Sequence, residues 1–195
     1  MAKVTGPLFS VDARGKIADT LVFMGWRGLK TVRRWTKPAN PNTAAQQTTR
    51  GYFTNAVSLY HSLSAADKTA LRVQASGQPY SGFNVWVGWV KSALDNAKAW
   101  SCIKAVTLTP GAGGSGNITV AGAALTGTNL KIRYGRTTSL VDGEALAVAV
   151  ADSAFSEIVG SLIADTLYYF KIEVQTPNGV HGETGIYSAT SPAAA

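Results

Sequence analysis

The sequence predicts an α+β fold: a basic β-ribbon arm over residues 1–41, a three-helix domain over 42–104, and a β-sandwich over 105–195. Three observations carry this. The run from Thr43 to Leu63 contains no proline and places Phe53, Ala56, Val57, Tyr60 and Leu63 at i, i+3, i+4, i+7 and i+10. From Lys104 onward, short segments rich in Thr, Val and Ala recur at the spacing of strands in a two-sheet domain. Between Lys16 and Thr36, two β-prone segments flank a Gly25-Trp-Arg-Gly28 turn.

Composition separates these parts further. The 195 residues carry a net charge of +7. Residues 1–104 hold 14 Lys and Arg against 4 Asp and Glu, whereas residues 105–195 hold 4 against 7. All five tryptophans, Trp26, Trp35, Trp86, Trp89 and Trp100, lie in the first part. A joint shift in charge and aromatic content marks a domain boundary near Lys104. No apolar run approaches the roughly eighteen residues of a membrane span. The N-terminal MAKVTGPLFSVDARG lacks the apolar stretch of a secretory signal. These features imply a soluble product of a cytoplasm, with no membrane partner. The single cysteine, Cys102, excludes an internal disulfide and reads as a small packing residue.

The arm is expected to be two strands. The first covers Thr20–Met24. In the second, Leu29–Thr36, the residues Leu29, Thr31, Arg33 and Trp35 alternate with Lys30, Val32, Arg34 and Thr36, leaving neither face cleanly apolar. A two-stranded ribbon of this kind is marginal alone and must lean on another surface. Pro38 and Pro41 then hold the chain extended and end the ladder, forming a joint before the helices. Asn42 or Thr43 caps the first helix. Ser64-Ala-Ala-Asp67 has the form of a capping box, with Asp in the usual Glu position, opening a helix to about Ala75. A third helix is expected over 83–100, with Trp86, Trp89, Val90 and Ala93 on one side.

In the C-terminal part, strands are expected over 105–109, 117–121, 129–134, 145–149, 155–159, 168–175 and 185–188. In the strongest of them Tyr168, Phe170, Ile172 and Val174 face inward.

No catalytic constellation emerges. Gly111-Ala-Gly-Gly-Ser-Gly116 satisfies G-x-G-x-x-G, but a dinucleotide site needs a helix to follow and here another strand follows. His61 and His181 have no nucleophile or carboxylate in triad order around them. The expectation is therefore no enzyme, no catalytic or metal site and no cofactor. The residues singled out for partner binding are Trp26, Arg27, Lys30, Arg33, Arg34 and Trp35. Arginine and tryptophan are typical interface anchors. The same cations and rings suit nucleic acid by phosphate contact and stacking, and an ordinary solvated face is a third reading, but docking on an acidic protein is the favoured one.

Two resemblances add to this. The pattern from Gly15 to Arg50 is G-K-I-x-D-T-L-V-F, W-R-G, V-R-R and N-P-N-T-A-A-Q-Q-x-x-R, followed by an aromatic helix. It resembles a group of little-characterised tailed-phage and prophage proteins through Gly15, Lys16, Trp26, Gly28, Asn40, Pro41, Thr43, Gln46 and Arg50. It implies a virion structural protein, made in the bacterial host cytoplasm. The favoured placement is a capsid decoration or head accessory protein. A tail, neck or tail-tube structural protein is the alternative, and a DNA-associated protein of the virion interior is an alternative of another class. Implied partners are the major capsid protein or other virion proteins and copies of the chain itself.

The segment SLIADTLYYFKIEV, with Leu162, Ala164, Thr166, Tyr168 and Ile172, is similar to the fibronectin type III pattern Leu-x-Pro-x-Thr-x-Tyr-x-x-x-Val, with Ala164 for Pro and Ile172 for Val. It implies a fibronectin type III-like, immunoglobulin-like sandwich in which Tyr168 makes the tyrosine corner. Such domains on phage surfaces imply cell-surface glycans as a further partner.

Overall fold

The fold is mixed α+β, with three helices and several β-sheets among the described residues. The computed structural model describes residues 2–3, 14–18, 20–26, 29–37, 39–174 and 179–193. By compactness the chain divides into two units, residues 1–43 and 44–195.

The described residues of the first unit form one sheet. Strands β1 (Ala2–Lys3), β2 (Gly15–Ile17), β3 (Leu21–Trp26) and β4 (Leu29–Arg34) hydrogen-bond in the order β1-β4-β3-β2. The two expected strands are β3 and β4. Added to them are two short edge strands, too brief to show any periodicity in sequence. The chain turns from β2 into β3 through Ala18, at φ 40°, closed by Thr20, whose N–H and hydroxyl both donate to the Ile17 carbonyl.

The second unit begins with helices α1 (Ala44–His61), α2 (Ala65–Gln74) and α3 (Gly82–Asp95). The capping box opening α2 is present. The Ser64 hydroxyl accepts the Asp67 N–H, and the Asp67 carboxylate accepts the Ser64 N–H. Ala56, Leu63, Leu71, Trp86 and Val90 form the helical core, which draws in Trp89, Trp100 and Cys102. Trp86 is 1% exposed, and its indole N–H donates to the Ala56 carbonyl at 2.9 Å. Helix α3 stops five residues short of the expected end. Asn96 closes it by donating from its side chain to the Ser92 carbonyl, and Ala97 turns left-handed at φ 54°. Trp100 therefore lies not on a helix but in the strand β5 (Ala99–Trp100).

Seven further strands match those expected after Lys104: β6 (Lys104–Pro110), β7 (Ile118–Ala123), β8 (Asn129–Gly135), β9 (Gly143–Ala149), β10 (Ala154–Val159), β11 (Leu167–Val174) and, beyond the two-residue β12 (Val180–His181), β13 (Tyr187–Thr190). They form a three-stranded sheet, β10-β7-β6, and a four-stranded sheet, β13-β11-β8-β9. Ile118, Val120, Phe155 and Val159 from the first share a core with Leu130, Ile132, Phe170 and Ile172 from the second. Burying a side chain of this size stabilises by about 1.5–3 kcal/mol. The inward set on β11 is the expected one, Tyr168, Phe170, Ile172 and Val174. The Tyr168 hydroxyl accepts the Ile163 N–H at 3.2 Å. Tyr168→Phe is expected to lower stability by about 1 kcal/mol, read from the urea midpoint. An unchanged midpoint would mean that this hydrogen bond contributes nothing net.

The change at Lys104 is one of secondary structure and not of compactness, because helices and sheets interlock in four ways. Strand β5 pairs in parallel with β12, and Trp100 stacks at a tilt on His181 with 5.6 Å between ring centroids. The Lys171 ammonium of β11 lies 5.1 Å from the Trp89 ring of α3 and 2.8 Å from Glu183. The Ile186 N–H donates to the Ala70 carbonyl of α2, and Ala70 itself belongs to the core between the sheets. This approach needs glycine at 185, where a Cβ would lie 2.2 Å from the Ala70 carbonyl carbon.

The fourth link is Asp67, 2% exposed. One carboxylate oxygen accepts the Ser64 and Ala105 N–H groups, both at 2.9 Å. The other accepts the Val106 N–H at 3.2 Å and the Tyr187 hydroxyl at 2.7 Å. Ala105, at φ 54° where the β6–β7 register slips, turns two successive N–H groups toward it, a local anion nest. Burial alone would raise this carboxyl. The hydrogen bonds from Tyr187, Ala105 and Ser64 outweigh it and hold the group below the ordinary carboxylate value. Burial beside this anion pushes the Tyr187 phenol far up, so it stays a neutral donor.

Candidate docking surface

The basic sheet of residues 1–43 is the candidate site. It holds eight Lys and Arg against two Asp and Glu, while residues 44–195 hold ten against nine, so +6 of the +7 lies in the smaller unit. Within that unit the described residues form no helix and no second sheet. Its apolar side chains accordingly stay in part accessible: Ile17 is 42% exposed and Leu21 41%.

Register decides which side chains share a face. Directly opposed residues of antiparallel strands point the same way. Ile17 pairs with Leu21 and Leu21 with Arg34; Gly15 pairs with Phe23 and Phe23 with Val32; Gly25 pairs with Lys30. Those residues make one face. Lys16, Val22 and Arg33 make a row of the other, with Met24 and Thr31 beside them. Trp35 joins this second face: its ring lies 4.5 Å from the Lys16 ammonium, a cation–π contact.

The structure thus distributes the residues singled out in sequence. Arg33 and Trp35 share one face, and Lys30 and Arg34 the other. Trp26 ends β3, while its side chain, Arg27 and Pro38 lie outside the described residues. Pro41 is exposed in a stretch, 39–43, without helix or strand, followed by Asn42 in the left-handed region at φ 51°. The boundary between the compact units falls there. Sequence reasoning missed Lys16, Ile17 and Leu21 as surface participants. The alternation that could have exposed them needs β2, only three residues long.

Elsewhere, Gly111–Gly116 joins antiparallel β6 and β7, so no helix N-terminus follows the glycines. His61 ends α1, and His181 contacts Glu183 at 3.0 Å. A groove of about 540 Å³ beside α1 and α3 is lined by Thr49, Arg50, Phe53, Thr54, Val87 and Lys91. Among the described residues no group of three His, Cys, Asp or Glu is placed to hold a metal, and no helix is long and apolar enough to cross a membrane.

No known protein family matches the chain, and no curated protein does. Among solved structures it is similar to that of astrotactin-2, described as a conserved vertebrate-specific and perforin-like membrane protein involved in neuronal development. The identity is 12% and the TM-score 0.35, over 59% of this chain and 30% of that one. At that TM-score the likeness carries no argument about fold or function.

Proposed function

We propose that this chain is a non-enzymatic structural protein of a tailed-phage virion, most concretely a head accessory protein whose N-terminal sheet docks on the capsid. The observation that carries the reading is the concentration of net charge, +6 of the +7, in a compact unit of its own. A single sheet, all that the described residues of this unit form, is marginal by itself, so such a unit gains stability from assembly. The virion context of this reading rests on the resemblance of the Gly15–Arg50 pattern to phage and prophage proteins. The sheets β10-β7-β6 and β13-β11-β8-β9 form a fibronectin type III-like sandwich in this reading. Support comes from their three-on-four arrangement and from the Tyr168 hydroxyl bonded to backbone just upstream.

Residues 44–195 expressed without the sheet are expected to keep a cooperative thermal transition and to lose co-sedimentation with particles. Full occupancy by the truncated chain would move attachment to the helices or the sandwich and overturn the reading.

A further inference from the structure

We propose that Glu157 guards an open sheet edge: its carboxylate keeps β10 from pairing with the β10 of a second copy of this chain. The inference concerns the 44–195 unit alone and stands apart from the docking reading above.

The three- and four-stranded sheets of that unit leave four edges, β6, β10, β9 and β13. Three of them are interrupted or short. The register slips between Lys104 and Thr107 on β6, and between Leu130 and Ile132 where β8 meets β9. Strand β13 is four residues long, and α2 meets the chain just before it through the Ile186–Ala70 hydrogen bond. Strand β10 instead pairs with β7 over six residues without a slip. The Ala124 N–H donates to the Ser153 carbonyl, which fixes the phase of that ladder. Phe155, Glu157 and Val159 bond to β7, so Ser156 and Ile158 turn their N–H and C=O groups outward. A regular edge of this kind is a template for another strand.

Glu157 is the one charge on β10, and the alternation puts it on the core side. Phe155 and Val159, two residues away on either side, are buried, and so is Val120 directly opposite. The chain's other three glutamates, Glu144, Glu173 and Glu183, pair with Lys131, Arg133, Lys171 or His181. Glu157, half-buried, has no such partner among the described residues. Its carboxylate therefore keeps its water through the open side of the strand. A strand added there would close over it and bury an uncompensated charge. Two β10 strands paired antiparallel would also bring two such carboxylates onto one face. Without that charge the strand reads Ala-Phe-Ser-x-Ile-Val, β-prone and neutral, with Ile158 60% exposed on its outer side.

The test compares the full native chain with Glu157→Val, Glu157→Gln and Glu157→Lys by sedimentation velocity over a concentration series, with thermal transitions to establish folding. Valine and glutamine are expected to bring self-association to concentrations at least about tenfold lower than the native chain requires. The near-isosteric glutamine keeps the test open where valine disturbs the fold. Glu157→Lys should match the native chain, because a charge of either sign closes the edge. Hydrogen exchange locates the contact: the Ser156 and Ile158 amides should exchange freely in the native chain and become protected in the Glu157→Val and Glu157→Gln oligomers. Folded valine and glutamine variants that associate no more than the native chain overturn the proposal. Association that leaves Ser156 and Ile158 unprotected overturns it too, as does a Glu157→Lys chain that associates like Glu157→Val.

Discussion

Asp67→Ala is expected to lower the stability of the 44–195 unit by about 3–5 kcal/mol, among the largest effects any single truncation here should have. The change strands three donors, the Tyr187 hydroxyl and the Ala105 and Val106 N–H groups, and an unsatisfied buried donor costs about 1–3 kcal/mol. It also removes one half of the α2 capping box. Asp67→Asn should rescue little. One oxygen would still accept, but the amide N–H₂ would meet two N–H donors, Ser64 and Ala105.

Acid should reproduce the effect in the unchanged protein. The folded-state carboxyl lies below its unfolded value, so its contribution is complete above about pH 4 and is lost as pH falls through the folded value. Urea midpoints measured from pH 6 downward should therefore drop more steeply for the native sequence than for Asp67→Ala. Parallel curves would show that this carboxylate does not couple stability to protonation.

The second large effect concerns cutting at Lys104. A fragment of residues 105–195 is expected to be far less stable than 44–195, with no cooperative transition or a urea midpoint reduced by more than half. It lacks Ile103 and Ala70, both buried in the core between the sheets, and it lacks the acceptor for Tyr187. Since whole domains are stable by only about 5–15 kcal/mol, losing these together consumes most of that margin. A fragment with the midpoint of 44–195 would demote the interlocking contacts to incidental ones.

Local chemistry was legible in the sequence, and long-range pairing was not. The capping box at Ser64 and the inward alternation of β11 depend on residues a few positions apart, so spacing exposed them, and the Tyr168 contact, equally local, was implied by the resemblance of its segment to a known pattern. Asp67 was read as a cap and nothing more, because its other partners lie 38, 39 and 120 residues away. Trp100 looked helical because aromatic spacing continued past Asn96, whereas a left-handed Ala97 and pairing with Val180–His181 decided otherwise. In the N-terminal sheet, alternation on β4 sorted Arg33 from Arg34 correctly. The edge strands that determine which apolar residues accompany each arginine were too short to signal themselves.

The Asp67–Tyr187 contact also orders events during synthesis. The ribosome releases α2 long before β13, so a growing chain holds a carboxylate whose last ligand has not been made. Until then one of the contacts that join helices to sheets is missing, and an incomplete chain stays more accessible to chaperones and proteases. A product that stops short of Tyr187 never acquires that ligand. Closure across 120 residues is slow, since loop entropy is spent before the contact forms. The contact thereby ties completion of the 44–195 body to translation past β13.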